Sequence, residues 1–252
     1  MPVEKREGKK SPAREAIQSL WIGAALSALE RLSIGSFLRH GHPYHLYVYE
    51  EPAGVPAGTS VRDAAEILPR SRVFQYRDRP SYAGFANFFR YKLLLERGGW
   101  WADTDVVCLR PFEFPSPYVF ASEPHPAAPM ISPAVIKAPE ASPLLDHAWR
   151  TCQSRDPGRL TWGETGPRLM DEAVRRYSLE AAAADVAAFC PLPAPAWRTV
   201  LDPAAEWRPT DASSAIHLWN EMWRRHGQDK DLSYPRGCLY EQLKSRYGVG
   251  GG

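Results

Sequence analysis

Apolar residues recur at strand and helix spacings along the first part of the chain. The run at 17–22 (IQSLWI) predicts a strand, the spacing across 26–39 predicts a helix, and HLYVY at 45–49 predicts a second strand. Strand, helix and strand within about thirty residues form a βαβ unit, which implies a parallel sheet. The pattern then predicts a loop, a short helix and a strand, at 51–60, 61–68 and 72–76.

The strongest pattern lies at 82–112. Apolar residues at helical spacing are followed by the pair Gly98–Gly99, which predicts the end of a helix. Two tryptophans, the triplet Asp103-Thr104-Asp105 and the apolar run at 106–109 come next. We therefore predict a strand that passes through two carboxylates. A buried carboxylate is unfavourable unless it is paired or bound to a cation.

The pattern is looser after Pro111, and 24 prolines predict long, irregular loops. The remaining predicted elements are strands at 118–122, 134–138, 189–195 and 215–219 and helices at 142–154 and 167–184. Together the elements predict the α/β fold class. The predicted organisation is one domain at 16–245 between flexible tails at 1–15 and 246–252.

Composition and charge exclude several classes of function. The net charge of +2 gives no argument for nucleic acid binding. Four scattered cysteines without C-x-x-C spacing argue against zinc and against a disulfide framework, and reduced thiols in a cytoplasm explain them most simply. No apolar run approaches the ~20 residues of a membrane span. The polar N-terminus lacks a signal core, and a solvated terminus is preferred over peripheral contact with the inner face of a membrane.

The D-x-D pair carries the main candidate chemistry. On a regular strand, Asp103 and Asp105 would face the same side of the sheet. Carboxylate oxygens suit Mn²⁺ or Mg²⁺, and these ions commonly bridge a phosphate-bearing substrate to the protein. The neutral imidazole of His217 can complete such a site, although a buried, hydrogen-bonded histidine is the alternative. Gly166 precedes a predicted helix whose free N–H groups can bind anions or sugar oxygens, but an ordinary helix cap explains the same residues.

Residues 17–223 resemble the DXD-containing sugar transferases of the GT-A fold. The resemblance rests on four stretches in order: 20–23 (LWIG), 87–105 (NFFR through DTD), 165–167 (TGP) and 217–223 (HLW through Trp223). It is nearest to the family 32 type, which includes initiating mannosyl-, α-1,4-galactosyl- and bacterial capsular transferases, and more remotely to the clostridial glucosylating toxins. The resemblance implies a Rossmann-like, mostly parallel sheet flanked by helices, with a small irregular C-terminal part, and a bacterial enzyme of polysaccharide biosynthesis. It also implies that the domain is divided into a donor-binding half at about 16–112 and an acceptor-side half at about 113–245.

The resemblance also implies roles for individual residues. Asp103, Asp105 and Arg90 would be catalytic, with Asp105 as the more direct metal ligand and Arg90 on donor hydroxyls or phosphate. Trp21 would stack on uracil, which favours UDP over GDP. Asn87 stands where the family usually has aspartate, so the transferred sugar stays open. His217 would be the third metal ligand. The remaining implied donor contacts are Gly23, Trp101, Thr104, Gly166, Trp219 and Trp223.

The predicted function is a metal-dependent glycosyltransferase that uses Mn²⁺ (or Mg²⁺) and a nucleotide sugar. The resemblance implies retention of configuration, and because no carboxylate nucleophile is evident, front-face attack fits best. Two alternatives stay open: a catalytically weak nucleotide-sugar-binding relative, since Asn87 departs from the pattern, and a metal-dependent phosphohydrolase or nucleotidyltransferase. The acceptor is open among a surface polysaccharide, a lipid-linked sugar, a small metabolite and a protein.

Overall fold

The computed structural model describes residues 14–250, so most of the tail predicted at 1–15 and the last two residues lie outside the described part. The strands are β1 Ile17–Trp21, β2 Tyr44–Val48, β3 Thr59–Asp63, β4 Gly99–Ala102, β5 Val106–Cys108, β6 Val119–Glu123, β7 Met130–Ala138 and β8 Ala215–His217. The helices are α1 Ala28–Arg39, α2 Ala83–Arg97, α3 Pro143–Gln153, α4 Pro167–Arg176, α5 Val186–Phe189, α6 Asn220–Arg225 and α7 Leu239–Arg246. None of the described helices is long and apolar enough to cross a membrane.

The central sheet has the strand order β3-β2-β1-β4-β7-β6. Strands β1 to β4 run parallel, β7 pairs antiparallel with β4, and β6 pairs antiparallel with β7. This confirms the predicted α/β class with a mostly parallel sheet flanked by helices. The chain winds outward in opposite directions from β1 and β4. The carboxyl ends of these two neighbouring strands therefore open a crevice, which is where such sheets bind ligands.

The two faces of the sheet bury different sets of side chains because successive residues of a strand point to opposite sides. Trp101 packs with the phenylalanines of α2 on one face. Trp100 packs with Ile34 and Phe37 of α1 on the other face. Both tryptophans are almost completely buried. The sheet therefore holds α2, and the residues that follow it, in a fixed position.

The C-terminal part packs against the outer side of α1. Its core contains Trp197, Trp223 and Tyr240. Tyr247 donates a hydrogen bond from its hydroxyl to the Cys108 carbonyl oxygen at 2.7 Å. The segment from 246 to 250 was predicted as a flexible tail, but Tyr247 makes this contact with the folded domain. The division of the domain into donor and acceptor halves stays a prediction.

Four predicted elements are wrong. The helix predicted at 61–68 is instead β3 followed by a single 3-10 turn, because pairing with β2 at the sheet edge outweighs local preference. The strand predicted at 72–76 contains no strand residues. The helix that starts at Pro167 ends at Arg176 and not at 184, since Ser178 adopts a φ of 54°. The strand predicted at 189–195 is absent: Phe189 ends a short helix capped by Asp185, and a 3-10 helix begins at Ala194.

Candidate active site

The D-x-D pair lies in a turn between two strands that belong to different sheets. Strand β4 ends at Ala102 and β5 begins at Val106, so the prediction of one strand through both carboxylates is wrong. The Val106 N–H donates to the Asp103 carbonyl oxygen at 3.0 Å and closes the turn. The Asp103 N–H donates to the Ala134 carbonyl oxygen of β7 at 2.8 Å. The turn thus places both carboxylates at the carboxyl end of β4, beside the crevice.

A second, two-stranded sheet brings His217 to the turn. Val106 of β5 pairs with His217 of β8, and the Leu218 N–H donates to the Asp105 carbonyl oxygen at 2.9 Å. The His217 Nε2 lies 3.1 Å from an Asp105 carboxylate oxygen, and the Asn220 N–H donates to the same oxygen at 2.7 Å. Two residues 112 positions apart are therefore held together by backbone pairing.

The side chains of Asp103, Asp105 and His217 form a cluster that fits a divalent cation. One ligand atom from each lies within 4.8 Å of the other two. Two carboxylates and an imidazole suit Mn²⁺ and Mg²⁺ in their ligand chemistry, with the imidazole favouring Mn²⁺. Asp105 and His217 are both less than 10% exposed. Two neighbouring carboxylates in a mostly buried site are unfavourable unless a positive charge lies between them. The set of ligand atoms therefore fits the predicted ion.

Asp105 and His217 shift the pKa of each other. Burial opposes ionisation of Asp105, but the His217 imidazole and the Asn220 N–H outweigh it and hold the pKa of Asp105 below its usual value. Burial would lower the pKa of His217, but the Asp105 carboxylate reverses this and holds that pKa well above 6.5. Without a bound cation, the pair therefore carries a shared proton into the neutral range.

Arg90 of α2 holds the first carboxylate. Its guanidinium lies 3.1 Å from Asp103, over the ring of Trp101 at 4.9 Å, and it also donates to the Pro133 carbonyl oxygen. The Trp101 indole N–H donates to the same Asp103 carboxylate at 2.9 Å. Arg90 is 3% exposed. Burial raises the pKa of Asp103, and the Arg90 guanidinium offsets this only in part.

A cavity of about 370 Å³ opens above this cluster. It brings together most of the residues predicted to bind the donor. Those that line it are Trp21, Asn87, Arg90, Trp101, Asp103, Thr104, Asp105, Gly166, His217 and Trp219. Trp21 ends β1 on one side of the metal-ligand cluster. Trp219 lies with its ring centre 4.0 Å from that of His217.

Asn87 and the turn before α4 form one wall of the cavity. The Asn87 side-chain amide lies 3.4 Å from the Thr165 hydroxyl oxygen, as a donor to it. The Tyr91 hydroxyl donates to the Thr165 carbonyl oxygen at 2.8 Å. A Cβ added at Gly166 would lie 3.2 Å from the Asn87 amide nitrogen. The close approach of this turn to α2 therefore depends on the absence of a side chain at 166.

Two residues predicted to contact the donor lie elsewhere. Trp223 is fully buried among Trp197 and Tyr240, and its indole N–H donates to the Leu218 carbonyl oxygen at 2.8 Å. The prediction of a donor contact for Trp223 is wrong, because its ring fills the C-terminal core. Gly23 is not among the described residues that line the cavity. An added Cβ there would lie 3.1 Å from the Trp21 indole nitrogen, so Gly23 contacts Trp21.

Some cavity residues were not predicted from the sequence. Asn220 contributes through its backbone N–H, which leaves no signal in residue type. Glu123 and Ser132 line the cavity from β6 and β7. Glu123 follows the apolar run VFAS, and an acidic residue that ends a buried strand is the signal that could have identified it. Trp162 and Tyr76 stand in loops whose positions only the fold reveals.

Comparison with known proteins agrees with this geometry. Residues 31–123 match the family described as "Glycosyltransferase sugar-binding region containing DXD motif", a segment that includes α2 and the D-x-D turn. Comparison with curated proteins gives no match. A solved structure titled "PaToxG Glycosyltransferase" is 17% identical with a TM-score of 0.50, and the similarity covers 68% of this chain and 77% of that chain. This similarity is one of fold and is consistent with the GT-A arrangement.

Two further solved structures have lower TM-scores. The apo form of the glycosyltransferase GlyE in Streptococcus pneumoniae TIGR4 is 10% identical with a TM-score of 0.40, over 69% of this chain and 46% of that chain. The WbbM bifunctional glycosyltransferase is 10% identical with a TM-score of 0.39, over 70% of this chain and 39% of that chain. The match thus marks residues 31–123 as a glycosyltransferase sugar-binding region, and the fold of the chain is consistent with that of a glycosyltransferase.

Proposed function

We propose that the protein transfers a sugar from a UDP-linked donor to a hydroxyl group of an acceptor, with Mn²⁺ or Mg²⁺ as cofactor. The observation that carries the proposal is the cluster of Asp103, Asp105 and His217 at the crevice between β1 and β4. The cavity above it also holds Trp21. A nucleotide sugar needs a flat apolar face for its base and a positive charge for its diphosphate; Trp21 would supply the first, and an ion held by the cluster would supply the second.

The metal would be held by Asp103, Asp105 and His217. When bound, the ion supplies Lewis-acid stabilisation of the diphosphate as it leaves. Arg90 and the Trp101 indole N–H fix one carboxylate, while the Asn220 N–H fixes the other. Such contacts keep the ligands aligned before the ion arrives, and this preorganisation is the contribution of the protein.

The donor would lie with its base against Trp21 and its sugar near Asn87 and Gly166. Stacking of a base on an aromatic ring contributes about 1–3 kcal/mol. Asn87 sits next to the Thr165-Gly166 turn, where its amide can meet sugar hydroxyls. The family 32 type of substrate is part of this proposal, and the acceptor would be a carbohydrate, a lipid-linked sugar or a small molecule.

We further propose retention of configuration by front-face attack. The acceptor oxygen bonds to the anomeric carbon while the bond from that carbon to the phosphate oxygen breaks. The electron pair leaves on UDP, and the proton of the acceptor hydroxyl passes to the leaving phosphate oxygen. This route needs positioning and charge stabilisation in place of a nucleophilic side chain.

Release of UDP from a panel of UDP-sugars, with and without Mn²⁺, tests the proposed function. We expect release that depends on Mn²⁺ and that falls by a factor of about 10² or more in Asp105→Ala, since the ion and the carboxylate act on the leaving group. Asp146→Ala is the matched control, because Asp146 is an exposed helical residue paired with Arg150. Metal-independent release, or equal rates in the two variants, would contradict the proposal and favour a binding role.

A further inference from the structure

Glu123 lies on the side of the cavity away from Trp21. In the sheet order, β1 carries Trp21 at its end and β4 leads into Asp103; β7 carries Ser132, and β6 ends with Glu123. Neighbouring strands are about 4.8 Å apart, so the β6 strand lies about 10 Å from β4 and about 14 Å from β1. Trp21 and Glu123 thus lie on opposite sides of one cavity, with Asp103 between them.

The order of base, diphosphate and sugar in a nucleotide sugar can be compared with these three positions. With its base on Trp21 and its diphosphate at the metal ligands, a donor places its sugar beyond the ligands, toward β7 and β6. In front-face attack, the acceptor hydroxyl must reach the anomeric carbon beside the leaving phosphate, so the rest of the acceptor extends away from the phosphate along the donor sugar. A spacing of about two strands from the β4 end to Glu123 leaves room for roughly one sugar ring.

The rest of the fold does not account for the Glu123 carboxylate. Among residues 14–250, no lysine or arginine pairs with it, and the neighbouring Ser132 and His217 stabilise its ionised form only in part. Burial raises the pKa of Glu123. A half-buried carboxyl without a paired lysine or arginine is unfavourable for stability. Its position in the cavity therefore points to a contact with substrate.

We propose that Glu123 binds the acceptor through a hydroxyl group next to the one that attacks the donor. The inference rests on the proposed function. The carboxylate accepts a hydrogen bond from this neighbouring hydroxyl and so holds the attacking oxygen at the anomeric carbon, with the attacking hydroxyl's own proton facing the leaving phosphate oxygen. As that C–O bond forms, the donor's bond to phosphate breaks, and the proton passes to the leaving phosphate oxygen. Glu123 itself forms no covalent bond.

The test compares Glu123→Ala, Glu123→Gln and the surface control Glu172→Gln in two assays. One assay measures UDP release from the UDP-sugar that the wild-type protein uses best. It is run with water alone and with methyl glucosides, galactosides and mannosides as acceptors. The other is the thermal shift that the same UDP-sugar produces with Mn²⁺. We expect Glu123→Ala to lower kcat/KM for the acceptor by about 30-fold or more. Glu123→Gln, which keeps one accepting oxygen, should lose less.

The donor-dependent thermal shift should stay unchanged in all three variants. Unchanged UDP release in Glu123→Ala would overturn the inference and leave the proposed function intact. Loss of the thermal shift would also overturn it, because Glu123 would then belong to the donor site. A sugar covalently attached to Glu123, detected by intact-mass measurement, would show a nucleophile and contradict both the inference and front-face attack. A wild-type protein that neither binds nor releases any UDP-sugar would remove both proposals.

Discussion

At the scale of residues, the centre of the account is the pair Asp105 and His217. The imidazole and the backbone N–H of Asn220 converge on one carboxylate oxygen, at 3.1 and 2.7 Å. The metal-free pair holds a proton because each group shifts the pKa of the other toward the charged form. A divalent cation must displace that proton before the imidazole can be a ligand.

We therefore predict that Mn²⁺ binds more weakly as the pH falls. In the metal-free protein, the raised pKa of His217 stabilises the fold fully below its ordinary value of 6.5, and this contribution is lost as the pH rises through the folded-state pKa. Metal binding depends on pH in the opposite direction, because it becomes more favourable as the pH rises. Affinity should fall by about tenfold per pH unit below that pKa, since one proton is released on binding.

The measurement is the increase in Tm produced by Mn²⁺ near pH 6 and near pH 8.5. The increase should be larger at the higher pH in the wild-type protein, and His217→Gln should abolish most of this difference. Equal increases at both pH values would show that His217 does not exchange a proton for the metal.

At the scale of elements, the end of α2 fixes where the D-x-D turn lies. Gly98 caps α2 with a φ of 58° and a ψ of −162°, and the chain enters β4 directly after it. A Cβ added at Gly98 would lie 2.5 Å from the Glu140 backbone nitrogen. Both the backbone conformation and the space at this position therefore require glycine.

Gly98→Ala should lower the free energy of unfolding by about 2–4 kcal/mol, because the strain and the overlap add. Gly35→Ala is the matched control. Gly35 lies inside α1, its added Cβ would have only the Tyr247 carbonyl oxygen within 4 Å, at 3.8 Å, and the substitution should be neutral or stabilising by up to ~1 kcal/mol. Urea unfolding measures both. Similar effects of the two substitutions would contradict the role given to Gly98.

Most long elements and their order could be predicted from the sequence. The helices α1, α2 and α3 and the strands β1, β2 and β4 have strong periodicity or clear end signals, such as Ser142 at the cap of α3. The element β3 could not be recognised, because its residues TSVRD are largely exposed at the sheet edge and carry no apolar alternation. Its strand conformation comes from pairing with β2.

At the scale of the whole molecule, the site is assembled by long-range pairing. The carboxylates Asp103 and Asp105, which we propose as metal ligands, were predictable from residue type and spacing. That His217 would join them required the resemblance, since the pairing of β5 with β8 has no local signal. Trp223 was misplaced for the related reason that a tryptophan near a site and a tryptophan in a core look alike in a sequence. Glu123 becomes visible only when β6 takes its place in the sheet.

The Tm shift produced by UDP-sugars in the presence and absence of Mn²⁺, in the wild-type protein and in Asp105→Ala, tests the central claim most directly. At about a hundredfold excess over the dissociation constant, binding adds about 2.7 kcal/mol to stability. For a chain of this size, that corresponds to a rise in Tm of roughly 5–11 °C. The account predicts this rise only with Mn²⁺ and only when Asp105 is present. No response to any nucleotide sugar, or a response indifferent to Mn²⁺ and to Asp105, would contradict it.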